Sequence, residues 1–335
     1  MNYYNSKTVL VTGGLGFLGS ALVSAISSVQ CHITLLVRHS SHVDIPEGTL
    51  ADFTILRGDI ETVEPWAEAL EKVDVIFHFA GQTDARVADQ SPLADFFAAV
   101  SPALHLLESC RRLNISPTIL FAGTVTQVGM AKILPINENF NDRPLVVYEI
   151  HKLAIEKYSQ FFFNTAKIPT LSLRLANVYG PGVRESSQDR GVLNLMIKKA
   201  LAGETLTVFG TGKPIRDYIY IDDVVRAFLL AGSMGPNLAG NYYLVGSGKG
   251  TSISDVINLV ADRTEIITGV RPPVEHVPSP DDLSPYSERD FVVDSTLFQQ
   301  TTGWRPKIAL SDGIDRSLEY FQMGENPSAE KDLAK

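Results

Sequence analysis

Tyr148 and Lys152 stand four residues apart in a stretch with helical periodicity, so both side chains fall on one face, one turn apart. A phenol with an ordinary pKa near 10 is a weak base at neutral pH. An adjacent ammonium and a cationic nicotinamide both favour the phenolate and bring it toward working range. Such a pair alone is ordinarily an amphipathic surface contact. Thr124 changes that reading, because it follows the strand-like run Thr118–Ala122 and can set a hydroxyl against the same substrate oxygen. The three residues describe a hydride-transfer site: Thr124 orients and polarises the oxygen, Tyr148 passes its proton, and Lys152 tunes Tyr148 and holds the nicotinamide ribose.

The elements that must position these groups begin at the N-terminus. The apolar run Thr8–Val11 leads into Gly13, Gly16 and Gly19, and the helical stretch Phe17–Ser28 follows at once. In that setting Gly13 makes a tight turn, Gly16 lets the backbone approach a diphosphate, and Gly19 lets helix and strand pack closely. The first turn of the helix then points free amides at the phosphates. Further candidate strands are Ile33–Val37, Thr54–Leu56, Val73–Phe79, Thr118–Ala122 and Thr170–Leu175, with helices near Pro65–Leu70, Asp95–Leu113 and Tyr148–Asn164. This alternation predicts an α/β fold, a doubly wound parallel Rossmann sheet with a smaller α/β C-terminal substrate-binding region. Gly13, Arg38, Asp59, Ala80 and Thr124 each follow a predicted strand, so one crevice at the carboxyl ends of the strands collects them.

Beyond residue 175 the alternation weakens and loops increase. Helices are expected near Val192–Leu201, Asp222–Ala231, Ile253–Thr264, Ser295–Thr302 and Asp312–Phe321, with Gly303 closing the fourth and Ser311 opening the fifth. We therefore expect a dinucleotide-binding part over residues 1–175, rejoined by about 215–233, and a mainly substrate-binding part over 176–335. The tail from Gly324 to Lys335 is polar and is expected to fray.

In a dinucleotide fold the end of the second strand decides between a free ribose hydroxyl and a ribose phosphate. Here it reads Leu35-Leu-Val-Arg38-His-Ser-Ser41 and carries no acidic residue. Arg38, Ser40 and Ser41 offer donors to a 2′-phosphate, which favours NADP, with NAD as the other possibility and a solvated surface arginine as the plain reading. Asp59 is placed to meet the adenine amine, or else to cap a turn. His39 and His42 have no cysteine or carboxylate cluster beside them, so no metal site is expected.

The 335 residues, 44% of them apolar, suffice for a large core. A net charge of −9 argues against a nucleic-acid footprint, which needs a basic face. No apolar run reaches membrane-spanning length, and the N-terminal residues carry no apolar signal core, so the chain is expected in the cytoplasm. Cys31 and Cys110 read as small buried hydrophobes in a reducing compartment.

At this point the sequence resembles the extended short-chain dehydrogenase/reductases that act on nucleotide sugars. The resemblance spans nearly the whole chain and is carried by Thr12-Gly-Gly-Leu-Gly-Phe-Leu-Gly19, Gly58-Asp-Ile60, His78-Phe-Ala-Gly-Gln82, Tyr148-x-x-x-Lys152, Arg174-Leu-Ala-Asn-Val-Tyr-Gly-Pro-Gly182 and Arg216-Asp-Tyr-Ile-Tyr-Ile-Asp-Asp223. It implies a cofactor site that also takes in Phe17, Leu18, Ile60, Phe79, Ala80 and Gly81, and a nucleotide-sugar site with Gln82 and Thr124. By the same similarity Asn177 lies beside the sugar or diphosphate, Arg216 clamps the diphosphate, and Arg289 is the second phosphate-binding arginine. Independently, Arg216 follows a glycine-rich loop and can present a fork to phosphate oxygens, or form a salt bridge with Asp217 or Asp222.

Departures from the family pattern narrow the reaction. Relatives that dehydrate across C5 and C6 carry Asp-Glu after the catalytic hydroxyl, where this chain has Val125 and Thr126, so a 4,6-dehydratase is not expected. The usual serine is Thr124, the usual tyrosine is Val128, the usual asparagine is Ala99, and His151 replaces a common serine. His151 is expected to be a helix-surface histidine, with a place in the proton path as its alternative. The favoured reading is a C4 ketoreductase consuming NADPH, chosen on Arg38 alone. A nucleotide-sugar 4-epimerase that retains its cofactor is the alternative, and an NADP-sensing binding protein with a degenerate site is the reading outside enzymes. A homodimer is also expected, because Phe96, Phe97, Leu104, Leu107, Leu153, Phe161, Phe162 and Phe163 give two crossover helices more apolar surface than one sheet face uses.

Overall fold

A computed structural model describes residues 2–45, 48–182, 191–279 and 288–325. Its main sheet is built from β1 (Thr8–Thr12), β2 (His32–Val37), β3 (Asp52–Arg57), β4 (Val75–His78), β5 (Thr118–Thr124), β6 (Thr170–Leu175) and a late strand, Tyr242–Val245. All the pairings are parallel and the order is Tyr242–Val245, β6, β5, β4, β1, β2, β3, so β1 sits at the point where the winding reverses. The crossovers are α1 (Phe17–Ile26), α2 (Glu64–Ala69), α3 (Ala85–Gln90), α4 (Pro92–Asp95), α5 (Ser101–Leu113) and α6 (Val147–Ala166). This is the doubly wound arrangement expected from the alternation of strands and helices.

The sheet is apolar on both faces because helices cover both. Val9 and Val11 point to one side, while Leu10, Ile76 and Ile119 point to the other, against Trp66 of α2 and Leu106 of α5. The first core runs on without a break into the C-terminal region through Tyr218, Ile219, Phe298 and Trp304. Burying each such large side chain contributes roughly 1.5–3 kcal/mol.

The remaining strands are β7 (Asn177–Tyr179), β8 (Leu206–Phe209), β9 (Ile215–Tyr220), β10 (the late strand Tyr242–Val245), β11 (Gly250–Ser252) and β12 (Val274–Val277). They give a three-stranded sheet ordered β11-β9-β7 and a β12-β8 pair. The later helices are α7 (Val192–Leu201), α8 (Ile221–Ser233), α9 (Gly235–Leu238), α10 (Ile253–Thr268), α11 (Thr296–Thr302) and α12 (Leu310–Glu325).

Three expectations change. The sequence reading has no seventh strand, yet β10, four residues between Gly240 and Gly246, completes the main sheet beside β6. The single helix expected over Asp95–Leu113 is instead α4, a π-helical turn at Phe96–Val100, and α5. Ser311 does not precede the last helix, because α12 starts at Leu310; its hydroxyl meets Asp312 Oδ1 at 3.2 Å inside the first turn. Gly303 does close α11, in the left-handed conformation at φ 76°. No helix among the described residues is long and apolar enough to cross a membrane.

Candidate active site

The glycine turn lies against the end of β4. Gly13 has φ +69°, and a Cβ there would sit 2.6 Å from the backbone nitrogen of Ala80, so this position excludes a side chain on both counts. The Gly16 amide donates to the Gly13 carbonyl at 2.9 Å, and a Cβ on Gly19 would collide with that same carbonyl. Thr12 joins the two strands: its Oγ1 meets His78 Nδ1 at 2.9 Å and accepts from the Ala80 amide at 3.3 Å. Burial, with the Lys152 charge adding to it, pushes the His78 pKa down to about 3, so the imidazole is neutral. The result is a rigid, glycine-lined turn at the centre of the sheet, opening at the start of α1 beside Phe17, Leu18, Phe79, Ala80 and Gly81. This suits the diphosphate of a dinucleotide.

The loop after β2, where a ribose is expected, is organised by a residue that sequence reasoning missed. Arg57 ends β3 opposite Val37, and its Nη1 donates to the carbonyls of His39 at 3.0 Å and Ser41 at 2.8 Å. That fastens the loop carrying Arg38, Ser40 and Ser41, in which Arg38 stands exposed. Asp59 follows β3 and caps its own turn, Oδ1 accepting from the Glu61 amide at 2.9 Å. Its neighbour Ile60 accepts from the Trp66 indole through its carbonyl at 3.3 Å. His42 pairs with Asp44 at 2.8 Å on the surface.

Tyr148 and Lys152 occupy the first two turns of α6. The start of this helix has no side-chain cap of its own; Asp89 of α3 supplies one, its Oδ1 accepting from the Val147 amide at 2.9 Å. Lys152 Nζ donates to the Ala122 carbonyl at 2.9 Å, which docks this face of α6 on β5 two residues before Thr124. It also lies 5.7 Å from the centre of the Tyr148 ring. Thr124 ends β5 and is held by a capping box: its amide donates to Gln127 Oε1 at 3.0 Å, and its Oγ1 lies 2.9 Å from Thr126 Oγ1. The spacing Thr124-Val-Thr-Gln127 carries that signal in the sequence.

Burial, reinforced by Glu149 and then Asp95, pushes the Tyr148 pKa up to about 12, the direction opposite to the one an adjacent ammonium favours. Burial also lowers the Lys152 pKa to about 8, against the opposing pull of Asp95. His151 likewise departs from its expected role. It is mostly buried, with Nδ1 2.6 Å from Oδ2 of the buried Asp95, and its ring stands edge-on to Phe96. Asp95 immediately precedes the π-helical turn, which a sequence reading as one continuous helix does not register.

The expected substrate residues come from separate elements. Asn177 begins β7, opposite Tyr218 of β9. Arg216 is buried in β9, over the Phe291 ring at 4.7 Å, and its Nη1 donates to the carbonyls of Ile215 at 3.0 Å and of Arg289. Asp217 is engaged elsewhere, accepting from the amides of Ser247 at 2.9 Å, Gly248 at 3.0 Å and Val293 at 3.1 Å. Arg289 pairs through Nη2 with Glu149, the residue after Tyr148. Arg216 and Arg289 are therefore adjacent, and Arg289 reaches the first turn of α6. Gln82 turns back on its own loop, its Nε2 donating to the Asp84 carbonyl at 2.6 Å.

Three buried side-chain polar atoms among the described residues have no hydrogen-bond partner: His78 Nε2, Asp95 Oδ1 and Arg289 Nη1. Each belongs to a residue tied to the first turns of α6, by field or by contact. An incompletely satisfied buried set is costly for a fold and is expected where ligands bind.

The sequence profile of the NAD dependent epimerase/dehydratase family matches residues 9–246. The chain belongs to this family, as an enzyme of the extended short-chain dehydrogenase type. It is 29% identical over 317 residues to a UDP-glucose 4-epimerase of Mycolicibacterium smegmatis, covering 93% of this chain and 98% of that one. Among solved structures, the UDP-glucose 4-epimerase of Thermotoga maritima with UDP-glucose superposes with a TM-score of 0.84 at 29% identity, covering 95% of this chain and 100% of that one. The Thermus thermophilus UDP-glucose 4-epimerase complexed with NAD gives 0.80 at 27% identity, covering 94% and 99%.

Proposed function

We propose that the protein catalyses reversible hydride transfer at C4 of a nucleotide-linked hexose, acting as a 4-epimerase. The observation that carries this reading is the Lys152 hydrogen bond to Ala122, which brings the Tyr148 face of α6 to the strand ending in Thr124. Gly13, Gly16, Gly19 and the loop of Arg38 would hold NAD or NADP, and that group supplies the hydride acceptor and donor. Thr124 orients the C4 oxygen, held in place by Gln127. Tyr148 takes and returns the C4 hydroxyl proton at its phenolic oxygen, and Lys152 supplies positive charge and a ribose contact. Arg216 and Arg289 take the diphosphate, with Asn177 and Gln82 nearer the sugar. Burial holds the Tyr148 pKa above its ordinary value, and cationic charge arriving with the cofactor would act against that shift.

Arg38 favours a second reading. With no carboxylate at the tip of β2, the loop fastened by Arg57 offers donors to a 2′-phosphate, which would suit an NADPH-dependent 4-ketoreductase. The named relatives favour epimerisation and NAD, so Arg38 alone no longer decides. Incubation with UDP-glucose or UDP-galactose and catalytic NAD or NADP should interconvert the two without net cofactor reduction. Stoichiometric NADPH oxidation by a 4-keto nucleotide sugar, with no interconversion, would replace the epimerase reading by the reductase.

The division into a dinucleotide part, 1–175 with about 215–233, and a mainly substrate part, 176–335, belongs to the same proposal. So do a cytoplasmic location, supported by the buried free Cys31 and Cys110, and a homodimer. Leu107 and Phe162, counted above as excess apolar surface, are used by the core, but Leu93, Phe97, Ile150 and Phe161 remain exposed around α4, the π-helical turn and α6. Sedimentation as a monomer at micromolar concentration would refute the dimer.

A further inference from the structure

The carboxylate next to the catalytic tyrosine is fixed from two sides. Glu149 is buried, its Oε2 accepts from the Leu145 amide at 2.9 Å, and its Oε1 accepts from Arg289 Nη2. Arg289 is itself held at its main chain, where its carbonyl receives Arg216 Nη1. The remaining terminal nitrogen of Arg289, Nη1, is buried and makes no hydrogen bond among the described residues. A guanidinium anchored at one nitrogen and unmatched at the other is pre-oriented for a second anion.

We propose that Glu149 is a positioning residue: it holds Arg289 in place to bind the substrate diphosphate and couples that arginine to Tyr148, the residue before it in α6. The proposal rests on the reading of Tyr148 as the proton-transfer group and of Arg289 as a phosphate ligand, and it adds a link between them. The link is short, because Glu149 touches Arg289 and adjoins Tyr148 in sequence. Other charged groups face the phenol as well: Asp95 from α4, paired with His151, and Lys152 from the next turn of α6. Arg289 faces Glu149 from the segment before α11. Diphosphate and phenol are therefore coupled through one ion pair, in which removing either partner shifts Tyr148 in an opposite direction.

The test compares wild type with Glu149→Gln, Arg289→Gln and the double variant, which removes both charges and leaves no unpaired buried ion. Calorimetry with UDP as the probe should show weakening of at least about fivefold in Glu149→Gln, from loss of a charge-assisted contact that orients Arg289. The cofactor dissociation constant should stay within about twofold, because the glycine turn is untouched. In the double variant UDP binding should match Arg289→Gln alone, since Glu149 acts on the diphosphate only through Arg289. The pKa that governs the pH profile of kcat/KM should fall in Glu149→Gln and rise in Arg289→Gln, whereas a purely structural role would lower both activities and move neither profile. Wild type that binds UDP, with Glu149→Gln binding equally well and an unmoved profile, would overturn the inference alone. Wild type that binds no nucleoside diphosphate would overturn the reading of the site as a nucleotide-sugar site, and the diphosphate half of the inference with it.

Discussion

Helix α6 carries buried ions at two levels, and the two are completed to different degrees. Two turns in, Glu156 receives Arg174 Nε at 2.8 Å and Nη2 at 2.7 Å, while Asp142 receives Nη1 at 2.6 Å and Nη2 at 3.0 Å. Gln127 adds a bond to Glu156 at 3.4 Å, and the Tyr242 ring lies 3.7 Å from the guanidinium. That cluster ties α6 to β5, β6 and β10. Against the first turn, Glu149 pairs with Arg289 and Asp95 of α4 with His151, and among the described residues Arg289 Nη1 and Asp95 Oδ1 have no hydrogen-bond partner. The same helix thus fixes the fold where its polar groups are saturated and offers chemistry where they are not. Saturation is the better mark of the difference, because both clusters are buried and both are ionic.

Substitutions can break that contrast. The largest expected effect is at the open level: Tyr148→Phe should lower kcat by roughly 10²–10⁴-fold, as expected for loss of a general acid–base group. Its cofactor dissociation constant and melting temperature should be nearly unchanged, because among the described residues no hydrogen bond depends on the phenol oxygen. A variant that keeps its turnover would leave the open level without its proposed chemistry. A smaller effect, in a different currency, is expected at the closed level. Glu156→Gln leaves Arg174 with one countercharge in place of two, and should cost about 1.5–3 kcal/mol of stability in denaturant unfolding, the loss of a charge-assisted contact with Asp142 still in place. The pH profile of the surviving activity should not move. A shifted profile with unchanged stability would erase the distinction between the two levels.

The closed and open levels also differ in how far the sequence discloses them. The glycine turn, Thr124, Tyr148 and Lys152 are local patterns with fixed spacings, and the alternation of apolar runs and helices sets them at one edge of a parallel sheet. Asp95–His151 depends on a π-helical turn that hydrophobic periodicity reads as continuous helix. Arg289–Glu149 joins residues 140 positions apart, and Arg57 acts on a loop carried by another strand. Strand β10 is a four-residue run whose assignment depends on its neighbour β6. Spacing shows which groups are available for chemistry, while tertiary contact buries the tyrosine and brings Asp95 near it, and burial does most to raise its proton affinity.

Burial of Lys152 also bears on how the protein is assayed. With its pKa lowered by burial to about 8, the side chain loses its charge as pH rises through a region well below the ordinary lysine value. A ligand that binds only the charged form is weakened as the pH is raised from neutral, so the buffer chosen for a binding experiment is one of its variables.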